Sequence, residues 1–299
     1  MKPISMMLLL ALKLHAAEGE KVDSLAGRQD THSVGDSGKD LEVEHHHHDK
    51  LDQVCDKPWT LTLESGIHSQ YWSRGLTAND DPVEQLGLTF THELGDKAAY
   101  GNLGLQYWHN LDLTSFGGQA GEITENDYAV FWGLDLPGDL NLELGHIYYD
   151  YPEAATDNYT AEVYAKLSFE KLLKPYIELS PFIQGFYDYQ NGNGWYLTAG
   201  ASYEIALDKI GKDWALDLSS GIGWADGNFN QQWSNEPKSR SSWTDYWFQV
   251  GLNVPLYAND SVSAKLHPYV KWCDAMDRLR NNGGESGNVM GGMALILEF

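Results

Sequence analysis

From Pro58 to the C-terminus, apolar side chains recur at every second position over stretches of ten or more residues, and this alternation constrains the fold more than any other feature. Trp195, Leu197, Ala199, Ala201, Tyr203, Ile205 and Leu207 form one apolar face, while Tyr196, Thr198, Gly200, Ser202 and Glu204 between them are polar or small. The same pattern runs through Tyr128, Val130, Trp132, Leu134 and Leu136, through 159–169 and through 246–256. A helix repeats every 3.6 residues and scatters such a set around its axis; a strand repeats every two and keeps it on one face. Twelve strands are predicted, near 59–72, 83–93, 98–109, 126–136, 139–150, 159–169, 176–189, 195–207, 214–225, 244–255, 262–272 and 288–299. Short connections (94–97, 137–138, 171–175, 208–213, 257–260) alternate with mostly longer ones rich in Gly, Asn, Asp and Ser (73–82, 110–125, 151–158, 190–194, 226–243, 273–287). Short turns at one rim, longer loops at the other and an even strand count describe an up-and-down antiparallel barrel.

A soluble sandwich also alternates, so the solvent has to be argued separately. Segments of ten to fourteen residues exceed the usual five or six of globular strands and suit a tilted membrane crossing. Aromatic residues recur at strand ends, at Trp59, Tyr71, Tyr107, Tyr128, Tyr148, Tyr159, Trp195, Trp214, Trp224, Tyr246 and Trp272, where lipid headgroups would meet them. The chain stops on Met293-Ala294-Leu295-Ile296-Leu297-Glu298-Phe299, an apolar-alternating strand with a terminal Phe. That ending resembles the signal read by the outer-membrane assembly machinery of Gram-negative cells. Lipid offers no hydrogen-bond partners, so the expected fold is an all-β transmembrane barrel with every strand edge paired. In such a barrel the apolar side chains face outward and the polar ones inward. No uncharged apolar run reaches the roughly 18 residues of a membrane-spanning helix.

The N-terminus reads as a signal peptide over 1–17: Lys2, an apolar run from Ile4 to Leu12, then Ala16 and Ala17. Residues 18–57 hold no aromatic residue and are dominated by Asp, Glu, Gly, Ser and Lys, the composition of a disordered arm. Within it, His45, His46, His47 and His48 beside Glu42, Glu44 and Asp49 form a weak candidate for metal capture, without the geometry of a built zinc site. A solvated low-complexity tract is the plainer alternative. Cys55 and Cys273 fall on opposite rims of this topology, too far apart for a bridge, so no intramolecular disulfide is expected.

The net charge of −23 comes from 43 acidic residues against 20 Lys and Arg, an imbalance that excludes a phosphate-binding surface and hence nucleic acid as partner. Strand parity turns Glu64, Glu143, Glu162, Glu178, Asp188, Glu204, Asp217 and Asp245 inward, with Asp127 and Asp135, against Lys166, Lys265 and Lys271. A water-filled bore lined this way concentrates cations. Small cations or small polar solutes are the expected partners, beside outer-membrane lipid. The acids pairing with bases inside a plugged barrel is the competing reading. Trp247, Tyr269, Trp72, Tyr100, Trp108, Phe131, Tyr149, Tyr164, Phe182, Phe186 and Tyr196 share the inward face, either filling a narrow bore or offering rings to sugars. Arg74, a rare base in the first outer loop, is either a latch onto inward carboxylates or part of an ordinary turn.

The run Tyr71-Trp72-Ser73-Arg74-Gly75-Leu76-Thr77, followed by Asp80, Asp81 and Pro82, resembles the first outer loop of the TorF-like family of Gram-negative porins. Pro175 leading into Phe186-Tyr187-Asp188-Tyr189, and Trp195-Tyr196-Leu197, are similar to that family as well. The resemblance would cover most of 59–299, with only the first loop distinctive, and the acidic His-bearing arm departs from the pattern. It implies an outer-membrane protein and a channel, with no catalytic residues to carry over. No cofactor site is legible, and His146 and His267 lack a recognisable Ser motif nearby, so no enzyme is expected. The expected function is a passive, cation-leaning channel or porin. The alternatives are a closed structural or surface-interaction barrel using 226–243 and 273–287, and a soluble secreted glycan-binding β protein.

Overall fold

The computed structural model describes residues 57–114, 120–152, 154, 158–169, 172, 179–233, 240–276 and 287–299. The signal peptide, most of the arm with His45–His48, Cys55 and Glu178 lie outside the described residues. The described residues form fourteen strands: β1 (Trp59–His68), β2 (Tyr71–Ser73), β3 (Leu76–Asn79), β4 (Val83–Glu93), β5 (Asn102–Asp112), β6 (Ile123–Leu136), β7 (Leu140–Asp150), β8 (Tyr159–Phe169), β9 (Leu179–Asp188), β10 (Gly194–Ala206), β11 (Ala215–Ala225), β12 (Ser242–Ala258), β13 (Ser263–Ala275) and β14 (Asn288–Glu298). A short helix, α1 (Gly227–Trp233), lies between β11 and β12. Twelve of the strands close into one antiparallel barrel in which each pairs with its neighbour in order, while β2 and β3 form a separate two-stranded sheet. Closure runs through β1 and β14, from Thr62 opposite Glu298 to His68 opposite Gly292, and Phe299 N–H donates to the Leu61 carbonyl at 2.9 Å.

An eleven-residue strand runs about 36 Å and, tilted by about 40°, crosses roughly 28 Å, enough for the apolar band of an outer membrane. Paired residues share a face, so the register and the burial together define inside and outside. Tyr196 and Thr198 on β10 are 1% and 2% exposed, whereas Leu197 between them is 37% exposed, as is Leu295 on β14. The exposed positions are those a bilayer would cover. Across β5 to β8, Tyr107, Tyr128, Tyr148 and Tyr159 stand side by side on the outer face with successive ring centroids 5.4, 6.4 and 5.9 Å apart. Towards the opposite rim, Trp59 stacks on Phe90 at 6.3 Å and Trp132 Nε1 donates to the Tyr100 carbonyl at 2.7 Å. These are two aromatic belts with aliphatic side chains between them, the outer surface of a membrane barrel.

Three details differ from the sequence reading. Tyr71 and Trp72 do not end β1; the chain leaves the barrel at Ser69, whose N–H donates to Gly291, and restarts as β2. Tyr100 is not inward but 71% exposed in a turn, because Gly101 adopts φ +78° and the strand begins only at Asn102. Cys273 lies within β13 rather than after it, buried on the inward face.

Candidate functional site

Residues 70–79 fold back into the bore as a hairpin instead of standing out as a loop. Their partners come from all around the wall. Tyr71 packs on Trp108 of β5 at 5.6 Å, Arg74 reaches Glu162 of β8, Thr77 accepts from Asn288 of β14 at 3.2 Å, and Trp72 packs with Trp247 of β12, Cys273 of β13 and Met290 of β14. The tip is Arg74-Gly75, with φ +45° and +86°. Positive φ at both central residues is the type I′ turn, whose twist suits a two-residue hairpin. Glycine adopts it freely; an arginine there is strained and needs compensation from its side chain.

The compensation is large. Arg74 Nη1 and Nη2 donate to Glu162 Oε1 and Oε2 at 2.8 and 2.9 Å, a bidentate pair with both side chains buried. Tyr149 donates its hydroxyl to Glu162 Oε2 at 2.8 Å. The guanidinium carbon sits 4.6 Å from the Phe186 ring centroid, 4.7 Å from Tyr196 and 5.5 Å from Phe229 of α1. Burial by itself pulls the Arg74 pKa down, but the Glu162 carboxylate and its hydrogen bonds outweigh this and hold it well above the ordinary arginine value. The group is therefore a permanent cation. One turn away the roles reverse: Lys271 of the wall lies 5.2 Å from the Trp72 ring of the hairpin and 4.9 Å from Trp247. The hairpin thus gives a cation to the rings of the wall and a ring to a cation of the wall.

Asp188 and Asp245 are buried beside this contact and serve it structurally. Asp188 accepts from Thr160 Oγ1 at 3.0 and 3.1 Å, from the N–H groups of Gln190 and Asn191 at 3.0 and 2.9 Å, and from Trp233 Nε1 at 3.2 Å. It pins the β9–β10 turn and α1 together. Asp245 accepts from Thr244 at 2.7 Å and from Tyr196 at 3.1 Å, which orients one ring around Arg74. Helix α1 was not foreseen within 226–243. Its signal was Asp226, whose Oδ1 caps the Phe229 N–H at 2.9 Å.

Towards the turn rim the inward face is more open. Glu64, opposite Gly87 and Ile296, is half-buried. Glu143 accepts from Tyr164 at 2.8 Å, and exposed Glu204 accepts from Asn253 at 3.1 Å. Asp217 lies 3.7 Å from His267 Nε2. Lys166 sits 5.5 Å from the Phe182 ring, Lys265 faces inward opposite Ile296, and Tyr269 shares a 2.7 Å hydrogen bond with His68. Asp135, bonded to Asn141 at 2.8 Å, is exposed near the turn rim. The bore thus has two halves: an outer half filled by the hairpin, α1 and rings, and a less filled half with more carboxylates than cations.

No protein-family model matches the chain, and no curated protein sequence matches it. Solved structures do share its shape. An outer membrane channel from Pseudomonas putida F1 is 12% identical, with a TM-score of 0.50 over 82% of this chain and 97% of that one. A KdgM porin in complex with disordered oligogalacturonate is 12% identical, with a TM-score of 0.43 over 80% and 98%. A NanC porin gives 12%, 0.40, 80% and 98% in the same terms. The likeness to the Pseudomonas channel concerns architecture, and with the apolar outer face it gives the conclusion that the chain has the fold of an outer-membrane β-barrel.

Proposed function

We propose that this protein is an outer-membrane channel for small cationic or polar solutes, held shut by its own first outer loop. The observation that carries the reading is the β2–β3 hairpin, which fills the bore yet contributes no strand to the barrel. It can leave as a unit without breaking one ladder hydrogen bond of the wall. Behind it, Glu64, Glu143, Glu204 and Asp217 outnumber Lys166 and Lys265, a balance that favours cations in a confined water column. The first-loop resemblance to the TorF-like porins fits the same reading, with bilayer lipid and, through Phe299, the assembly machinery as partners.

Currents across planar bilayers test it. Wild-type protein is expected to open rarely and Arg74→Ala to raise mean conductance severalfold, with reversal potentials on the cation side. Silent bilayers with both proteins would reject the channel. They would favour a closed structural barrel, for which the packed outer half of the bore is the supporting observation.

A further inference from the structure

The wall around Arg74 has the chemistry of a receptor for a planar cation. Its base is the Glu162 carboxylate, fixed by Tyr149 and able to take two parallel N–H donors. Its sides are Phe186, Tyr196 and Phe229, with centroids at 4.6 to 5.5 Å from the guanidinium carbon. Each of these groups belongs to the wall or to α1, and none to the hairpin. A carboxylate fork matches a guanidinium better than an ammonium, and flat rings favour a weakly hydrated planar cation over a compact, strongly hydrated one. Arg74 holds a positive φ at the tip, so both its backbone and its side chain are committed to the docked hairpin.

We infer that this cage is a binding site for guanidinium-bearing solutes, such as free arginine or its decarboxylated derivative, and that Arg74 occupies it as a tethered ligand. A soluble guanidinium that takes the cage displaces the hairpin and opens the bore. The inference deepens the gated-channel reading and, for its opening step, rests on it. A short tether supplies an effective concentration on the order of millimolar or more, so free solute must reach the millimolar range to compete.

Cys273 provides a built-in reporter, being fully buried in the same apolar cluster as Trp72. The test uses the full chain with Cys55→Ser, which leaves Cys273 as its one thiol. Maleimide labelling of Cys273 is timed in methylguanidinium, in tetramethylammonium and in sodium, at equal ionic strength and tens of millimolar. Methylguanidinium is expected to speed labelling about tenfold, with the other two cations leaving it unchanged. Glu162→Gln is expected to label fast without ligand and to gain nothing from methylguanidinium. Equal effects of the three cations, or none, would overturn the inference. Titration calorimetry of Arg74→Ala reads the cage alone: saturable binding of methylguanidinium, lost in Arg74→Ala/Glu162→Gln, is expected, and its absence overturns the site. Selective labelling without current in bilayers would keep the cage and reject the channel; current in Arg74→Ala without binding would do the reverse.

Discussion

Arg74 and Glu162 make the most consequential contact in the molecule, and each half of it was visible in the sequence while the pairing was not. A base in the first outer loop and an acid of inward parity on β8 stand out from composition and alternation. That the two meet depends on a backbone reversal 88 residues before Glu162. Removing one partner of a buried pair strands the other charge, a loss of about 3–5 kcal/mol, whereas removing both costs much less. A double-mutant cycle of Arg74→Ala and Glu162→Gln, followed by urea unfolding in vesicles, should therefore give strongly non-additive losses. Additive losses would mean that the pair contributes little. A second residue-scale expectation concerns Gly104, where an added Cβ would run into the Phe131 ring. Gly104→Ala should cost about 1–3 kcal/mol in the same assay, since the ring has to leave the wall.

Among the elements, the barrel strands were legible because each carries its own periodicity, and eleven of the twelve predicted segments overlap observed strands to within a few residues at either end. The first differs, since 71–72 belong to β2. The hairpin and α1 were not legible. Two strands of three and four residues are too short for a periodic signal, and seven helical residues show barely two turns. Replacing 70–80 with a flexible Gly-Ser linker should leave the barrel folded, judged by heat-modifiable migration on gels, because β2 and β3 share no ladder with it. Loss of the folded form would show that the hairpin is part of the barrel's foundation. Asp188→Asn should loosen the β9–β10 turn and α1 together, read as a change in Trp233 fluorescence; an unchanged spectrum would mean that Thr160 and the turn hold without the charge.

For the whole molecule, two solvents set two different costs. Val250 and Leu197 lie on the outer face, where an arginine near the bilayer midplane should cost about 2–4 kcal/mol in vesicle unfolding. The same substitution at inward Gln249, which faces Ser219 and Lys271 across the ladder rather than lipid, should cost less. Equal costs would contradict a lipid-facing outer wall. Neutralising Glu64, Glu143 and Glu204 together should move the reversal potential towards that of an unselective pore, and an unchanged potential would remove these carboxylates from the ion path.

Period-two alternation, turn-forming residues and strand length act between near neighbours in the chain, so the sequence by itself determined the barrel and its strand number, and failed where the chain leaves the ladder, at Tyr71, expected at the headgroup boundary but buried in the bore, and at Tyr100, expected inward but exposed. What fills the bore depended on the tertiary structure, because it is settled by groups brought together only after closure. Arg74 finds Glu162, and Trp72 finds Lys271, across a cavity that does not exist until β1 has paired with β14.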